Sequence, residues 1–434
     1  MRQLKFHLKY SMQSCWTTAL LFLFCLPVSA ESLLTLRDAE HVALLNEPAI
    51  QRNQAIAMSL TDSAIADGQL NDPTLTFGLI NVPTDDFDLN DNPTTQLRFG
   101  IKQMLPKGDT LAFKQLKGEQ LAMAKQQQTA WLQKQVILAV RLSFLETFYQ
   151  QQTMAVLNKN RRHFVELLTT TENFYSVGRA SQQDILLAKL ELSRLDDRIN
   201  QALNLLNMSK STLNKWLPDI YQQSLSEELP VLPTTSNLEQ LEQRLTYHPR
   251  VLMEDALVNA AKQNVHMAEE QFKPGFNVGI EYRKRFGDEI NGQHRDDLMA
   301  ATVSIELPIF PEKRQNKRLS SSQYNYQAVK LGRLDTLRNM RQQLRLHYGD
   351  WLRLSQRAER YEADLLTQAA ENSRAALRSY QSGVADFSTL IQSRIIQLET
   401  QLQHQRIVVD KTKARAQILF LSSTQTLGAT NEHN

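Results

Sequence analysis

The sequence predicts a mainly α-helical chain with a small β part, built from one unit that occurs twice. Prolines, glycines and tyrosines recur in matched pairs about 200 positions apart. The pairs are Pro48 and Pro249, Pro73 and Pro274, Gly78 and Gly279, Pro106 and Pro308, Tyr175 and Tyr380, Gly178 and Gly383, and Ala180 and Ala385. Because proline and glycine mark bends in the backbone, their shared spacing indicates an ancient duplication. Each copy is predicted as a helix, a β-hairpin and a long helical hairpin.

The first 30 residues are predicted to be a cleaved secretory signal peptide. Arg2, Lys5 and Lys9 form a basic start, residues 17–26 are apolar, and small residues precede Glu31. That order is typical of an export signal. The alternative, an uncleaved membrane anchor, needs a longer apolar run than this segment has.

Removal of this segment changes the charge balance. It leaves 46 basic residues, 49 less the three in the signal, against 46 acidic residues. This balance argues against a nucleic-acid partner. Both cysteines, Cys15 and Cys25, also lie in the segment, so the mature chain is expected to lack disulfides and cysteine metal sites. The residues around Cys25 are not a lipid-attachment motif, so a lipoprotein is not expected.

The mature chain divides into two repeats, a connector and a tail. The first repeat covers 31–217, the connector 218–237, the second repeat 238–421 and the polar tail 422–434. The opening helix of each repeat is expected to break at its proline, Pro48 or Pro249. Short strand pieces are expected in the connector around Leu229 to Leu232.

Four segments alternate apolar and polar residues with period two, which is typical of strands with one face of each kind. They lie near 74–82, 95–105, 275–286 and 298–308. Four strands cannot close a barrel, but three or more chains of an exported protein could close one with lipid outside and water inside. A soluble antiparallel sheet is the alternative. The long, acidic hairpin loops between the strands fit the extracellular side of such a barrel, and solvated charge without a selective role is the favoured interpretation of their acidic residues.

Two stretches, 110–217 and 312–421, are predicted to form very long helices. No proline lies between Pro106 and Pro218, and none follows Gln315. Apolar residues recur close to a heptad spacing, as at Leu192, Leu195 and Ile199. Such helices bury a narrow stripe and leave the remaining surface to water.

The signal peptide, the two repeats and the Tyr-x-x-Gly turn in each copy together resemble the TolC-like outer-membrane efflux protein family over the whole mature chain. The resemblance implies a homotrimer with a 12-stranded β-barrel in the outer membrane, continued by an α-helical barrel across the periplasm. It also implies two partners, a periplasmic adaptor and an inner-membrane pump. The heavy-metal-efflux branch has members of this size without an anchoring cysteine, so efflux of metal cations is favoured over efflux of drugs. A duct for protein secretion is the alternative within the family.

The resemblance further implies that the two Tyr-x-x-Gly turns are the inner tips at which the adaptor docks. These tips comprise Val177, Gly178, Arg179, Ala180, Ser181, Ser382, Gly383, Val384, Ala385 and Asp386. Glycine suits such a reversal because it accepts a positive φ. A helix–helix turn without a partner is the alternative.

The resemblance places a gate at the same tips, formed by Asp184 and Tyr380. A hydrogen bond between phenol and carboxylate would hold the two hairpins together at rest. The alternative is that Asp184 only caps the helix that begins near Ser181. Because Ala385, Thr389 and Gln392 stand where the family's best-known member carries an arginine and two aspartates, neither an arginine link nor an aspartate ring is expected.

No catalytic, cofactor-binding or metal-binding motif occurs at a useful spacing, so the chain is not predicted to be an enzyme. A function of another class is a periplasmic coiled-coil adaptor that forms no pore. Such an adaptor would have one helical hairpin and a compact β-domain. A soluble periplasmic scaffold is a third possibility.

Overall fold

A computed structural model describes residues 33–217 and 224–422. The predicted signal peptide, residues 218–223 of the connector and the tail after Ser422 lie outside the described residues. Helices dominate, and the prediction of a mainly helical chain with a small antiparallel sheet is confirmed.

The two repeats place the same kinds of element in the same order. The first repeat contains α1 (Leu36–Asn46), α2 (Pro48–Asp67), β1 (Thr74–Ile80), β2 (Gln96–Leu105), α3 (Thr110–Ser176) and α4 (Gln182–Asn214). The second contains α5 (Leu238–Arg244), a 3-10 turn (Leu245–Tyr247), α6 (Pro249–Glu270), β3 (Gly275–Arg285), β4 (Leu298–Glu306), α7 (Gln315–Arg360), a π-helical segment (Tyr361–Leu365), α8 (Leu366–Gln381) and α9 (Phe387–Leu421). Both predicted breaks are present, because Pro48 and Pro249 each occupy the first turn of a new helix.

The connector differs from its prediction. No strand forms at Leu229 to Leu232, and the described part of the connector instead makes one parallel bridge, between Leu225 and Leu34. Pro230 and Pro233 explain the difference, because they lack the N–H groups that a strand ladder requires.

The four strands form one antiparallel sheet in the order β1-β2-β3-β4. The two repeats meet at its centre, where β2 pairs with β3 from Gln96↔Arg285 to Leu105↔Phe276. The outer strands β1 and β4 each pair with one neighbour among the described residues. A single chain therefore presents two open sheet edges.

The register places apolar side chains on one face of the sheet. Rows across the strands join Phe77, Phe99, Tyr282 and Met299, and also Leu75, Ile101, Ile280 and Ala301. These side chains are solvent-exposed, as shown by Leu75 at 75% and Met299 at 77% of their full accessible area. The opposite face is polar, and Glu281 there pairs with Arg98 and Arg283.

Long helices continue from the sheet and pack side by side. α3 alone has 67 residues, which corresponds to about 100 Å at 1.5 Å per residue. Its buried residues contribute to an apolar cluster with α1, α4 and α9 that includes Phe144, Leu213 and Ala416. None of the helices in the described ranges is both long enough and apolar enough to cross a membrane.

The sheet and the helices are joined by a small polar network. Glu270 at the end of α6 accepts a hydrogen bond from the Asp109 backbone N–H (2.7 Å), and Lys107 pairs with Glu306 (2.8 Å). Gly108 has a φ of +48°, and a Cβ there would lie 1.8 Å from a carboxylate oxygen of Glu270. Glycine is therefore required where β2 turns into α3.

A buried histidine lies near the centre of the helical region. His248 is 0% exposed and caps α6, with its Nδ1 accepting a hydrogen bond from the Arg250 N–H at 3.1 Å. Its Nε2 is 3.1 Å from the Phe420 carbonyl, which fixes the proton on Nε2. Burial, with a smaller contribution from the charge of Lys134, lowers the pKa of His248 from 6.5 to about 4.

We expect the folded protein to lose stability on acidification through His248. The folded pKa is depressed, so the stabilisation is complete above pH 6.5 and is lost as pH falls toward 4. The loss is about 3 kcal/mol, from roughly 1.4 kcal/mol per pKa unit. Thermal unfolding between pH 7 and 4 should show this dependence, and His248→Asn, which keeps a capping side chain, should flatten it. Equal pH dependence in both proteins would contradict the assignment to His248.

Candidate functional site at the helical turns

The two Tyr-x-x-Gly turns adopt the same backbone motif. In the first turn, the Gly178 N–H donates to the Tyr175 carbonyl (3.0 Å) and the Arg179 N–H to the Phe174 carbonyl (2.8 Å). In the second, Gly383 donates to Tyr380 (3.0 Å) and Val384 to Ser379 (2.9 Å). This pair of bonds defines a Schellman motif, in which glycine takes a positive φ, here +74° and +75°. The repeated sequence motif therefore encodes a helix end.

The helices that follow the turns are capped by complementary residues. Ser181 caps α4, and Asp184 returns a bond by accepting from the Ser181 N–H at 2.8 Å, which completes a capping box. In the second turn Asp386 caps α9 by accepting from the Thr389 N–H at 2.7 Å. The Thr389 hydroxyl and backbone both lower the pKa of Asp386. The first copy therefore has a hydroxyl residue at the cap and a carboxylate three residues later, whereas the second copy has the carboxylate at the cap and the hydroxyl residue three residues later.

The two tyrosines of the motif have different environments. Tyr175 is 49% exposed, whereas Tyr380 is 7% exposed. The Tyr380 ring packs against Phe174 (5.7 Å between centroids) and Phe387 (5.4 Å). These rings belong to an apolar cluster that joins all four helices of the two hairpins. Tyr380 thereby anchors the second turn to the first hairpin.

The hydroxyl of Tyr380 is buried without a hydrogen-bond partner among the described residues. It lies near the Thr171 hydroxyl, which donates to the Leu167 carbonyl at 2.9 Å. Burial raises the pKa of Tyr380, and the nearby carboxylate of Asp184 adds to the increase. Within the described ranges no hydrogen bond joins Asp184 to Tyr380, although the two groups are close enough to interact electrostatically.

Arg179 connects the two turns directly. Its guanidinium lies over the Phe174 ring at 4.7 Å and donates to the Gln381 carbonyl at 2.9 Å. The ring contact is a cation–π interaction, and the carbonyl belongs to the last residue of α8. One side chain of the first turn therefore holds the end of the second hairpin.

The remaining predicted docking residues form an accessible surface at the ends of the hairpins. Val177 and Val384 are 67% and 83% exposed, and Ser181, Ser382 and Asp386 are also exposed. Ala180 and Ala385 are half-buried. A Cβ added at Gly178 or Gly383 would meet nothing within 4 Å, so both glycines face open space.

We expect Gly178→Ala and Gly383→Ala each to cost about 1–2 kcal/mol of local stability. The positive φ alone produces this cost, because no neighbouring atom obstructs the new methyl group. Hydrogen exchange should show faster exchange at the Arg179 or Val384 amide, which closes the motif. Gly332→Ala, in α7 with open space around it, serves as the control and should cause no loss. Unchanged exchange in both turn variants would contradict the strain argument.

Sequence reasoning identified the turns but missed the residues that join them. The sequence indicates Arg179 only as a docking residue and Phe174 only as part of the first tip, and it gives no role to Phe387. A usable signal exists, because aromatic residues lie directly beside the Tyr-x-x-Gly motif or at the start of the next helix. In the parts of the chain that the structure describes, no group of three or more His, Cys, Asp or Glu residues is placed to hold a metal ion.

Comparisons with known proteins give matches at the level of structure. No protein-family model matches the sequence, and no curated protein matches it significantly. The outer-membrane channel OprN superposes with a TM-score of 0.74 at 14% identity, covering 89% of each chain. The outer membrane protein VceC of Vibrio cholerae gives 0.73 at 15% identity, covering 89% of this chain and 95% of that one.

A third similar structure is the open state of the MtrE outer membrane channel of Neisseria gonorrhoeae. It gives a TM-score of 0.70 at 13% identity and covers 90% of this chain and 91% of MtrE. The similarity extends over almost the whole length in each case. The chain therefore has the fold of these outer-membrane channels.

Proposed function

We propose that the chain forms the outer-membrane exit channel of a tripartite efflux pump and has no enzymatic activity. The observation that carries this proposal is the sheet, which has an exposed apolar face, a polar face and two open edges. Three chains pairing β4 of one with β1 of the next give a closed barrel of twelve strands. Closure gives the backbone N–H and C=O groups of each outer strand hydrogen-bond partners, and the apolar face would be directed toward lipid.

The lengths of the elements support this arrangement. β2, β3 and β4 have 10, 11 and 9 residues, the length of a tilted strand that crosses a bilayer. The long helices leave the sheet at the end opposite its hairpin loops. In the proposed arrangement they therefore extend into the periplasm. The whole homotrimer would then be one duct from the periplasm through the outer membrane.

The exported substrates in this proposal are small toxic solutes, with heavy-metal cations favoured over drugs. The similar channels support an outer-membrane channel, and the pump that supplies the duct determines what it carries. A duct for type I protein secretion has the same fold and is the alternative. A non-pore adaptor is less well supported, because the chain has two helical hairpins and a shared four-stranded sheet.

We propose that the two turns bind the periplasmic adaptor, to which an inner-membrane pump is attached. The exposed valines and the open space at both glycines leave room for a helical hairpin to approach closely. Arg179 holds the two turns together, so the adaptor would meet them as one surface.

The same region supports a gate formed by Asp184 and Tyr380. The Tyr380 hydroxyl lies near Thr171 without a well-formed hydrogen bond, and a bond to the carboxylate of Asp184 would be stronger because it is charge-assisted. Asp184 would have to give up part of its capping box to make this bond. The two bonding states of Asp184 would thus correspond to two states of the inner mouth.

The proposed channel can be tested by purifying the chain from membranes and measuring conductance in planar bilayers. We expect a detergent-dependent trimer that forms a conducting pore. A monomer that stays soluble without detergent and never conducts would refute the channel. In a deletion strain, sensitivity to metal salts but not to detergents and dyes would support metal efflux, and the converse would support drug efflux.

The gate predicts that Asp184→Asn and Tyr380→Phe alter conductance through one shared interaction. The double variant should then resemble Tyr380→Phe, because the phenylalanine already removes the donor of this bond. Ser181→Ala serves as the control, since it removes the hydroxyl that accepts from the Asp184 backbone N–H and leaves both gate side chains in place. Conductance identical to wild type in all three gate variants would rule out the pair as a gate.

A further inference from the structure

A surface cavity of about 780 Å³, wide open to solvent, lies where the sheet meets the helices, between the first residue of α3, the end of α6 and the start of α7. Four cations and two hydroxyl groups of the α7 region line one side of it. They are Lys313, Arg314, Lys317, Arg318, Ser321 and Ser322. No carboxylate lines the cavity.

Two carboxylates at the same junction of sheet and helices are engaged with cations outside this cavity. Glu306 is bonded to Lys107 at 2.8 Å, and Glu270 to Lys273 at 2.7 Å. Arg314 is within electrostatic range of Glu306 but makes no contact with it. Among the described residues, none of the four cations of the cavity forms an ion pair.

The spacing of the cations concentrates their charge on one side. The Arg318 N–H donates to the Arg314 carbonyl at 3.0 Å, so these residues follow the helical path one turn apart. Lys317 and Ser321 are also four residues apart, as are Arg318 and Ser322, which brings each pair together on the helix surface. Like charges at this spacing are destabilising unless an anion neutralises them.

We propose that this cavity binds a phosphate-bearing ligand. Arginine offers a planar fork to two phosphate oxygens, lysine a compact charge, and serine hydroxyls further donors. The ligand has two possible sources, a free phosphate compound or the headgroup of an anionic phospholipid. The second source rests on the proposed outer-membrane position, in which Ile309 and Phe310, 67% and 82% exposed, would meet acyl chains beside the cations.

The test uses the full-length protein purified in a neutral detergent. Calorimetry at low salt measures the affinity for inorganic pyrophosphate, and native mass spectrometry measures retention of phosphatidylglycerol against phosphatidylcholine. Lys317→Gln with Arg318→Gln should weaken binding of the ligand by at least about tenfold, since two charge-assisted contacts are lost. Arg338→Gln with Arg357→Gln, on the same helix outside the cavity, should bind as wild type does.

The two probes identify the source of the ligand. Binding of pyrophosphate alone indicates a free phosphate compound, and retention of phosphatidylglycerol alone indicates a lipid. Binding of neither, as when acidic residues of a second copy fill the cavity, overturns the proposal. Equal binding by wild type and the Lys317/Arg318 double variant also overturns it.

Channel conductance of the same samples separates this site from the proposed function. Normal conductance in both double variants shows that they fold and assemble. Conductance without phosphate binding refutes the site alone. Phosphate binding without conductance refutes the exit channel and leaves the free-phosphate site standing.

Discussion

Val303→Arg should prevent assembly of the proposed outer-membrane barrel. Val303 lies next to the middle of β4 on the apolar face, is 65% exposed, and pairs with Val278. An arginine facing lipid near the bilayer midplane costs about 2–4 kcal/mol, and a trimer would carry three of them. Membrane fractionation and heat-modifiable migration in gels should show loss of the inserted trimer.

The adjacent residue provides a matched control. Thr302 has nearly the same shape as Val303, but its side chain points to the polar face, where it pairs with Gly279. We expect Thr302→Arg to insert and assemble as wild type does, because its charge would meet water. Equal insertion of both variants would contradict the assignment of the faces, and equal failure would show that β4 tolerates no arginine at all.

Phe387→Ala should loosen the contact between the two hairpins. Phe387 is 1% exposed, begins α9 and packs against Tyr380. Removing a buried phenylalanine ring costs about 3–5 kcal/mol, from lost burial and from the cavity left behind. We expect faster hydrogen exchange over residues 376–391 and larger channel conductance, because Tyr380 would lose half of its aromatic support.

Val384→Ala is the control for this experiment. It lies in the same turn but is 83% exposed, so its truncation leaves no cavity. Exchange and conductance should remain as in wild type. If the amides of Phe387→Ala exchange as slowly as those of wild type while the channel conducts more, the change in conductance would be unrelated to packing of the hairpins.

Much of the fold was predictable because it depends on local sequence patterns. Period-two alternation located the four strands, and β2 and β3 begin and end within one residue of their predictions. Pro48 and Pro249 located the helix breaks, and Gly178 and Gly383 located the turns. Each of these features follows from the backbone preferences of one residue type.

Features that depend on long-range packing were not predictable. The π-helical segment Tyr361–Leu365 contains no proline or glycine to mark it, and the Tyr361 ring stacks on His404, which lies far along the chain. Nor could the motif alone distinguish Tyr175 from Tyr380. Their difference in burial arises from their neighbours. Tyr380 packs against Phe174 and Phe387, whereas the repeat equivalents of these two residues, which would surround Tyr175, are Ser379 and Gln182.

The pairing of β2 with β3 determines when the sheet can be completed during folding. Gln96 and Arg285 are 189 positions apart, so this central ladder is a contact of very high sequence separation. Folding that depends on such contacts is slow, because the entropy of closing a long loop is lost before the hydrogen bonds of the ladder stabilise the chain. The hairpin of the first repeat must remain without its partner while the helices that follow it in the chain are synthesised. A nascent chain therefore carries an incomplete, apolar-faced sheet while the 180 residues after Leu105, up to Arg285, are made, and the hairpin must be protected from aggregation during that time.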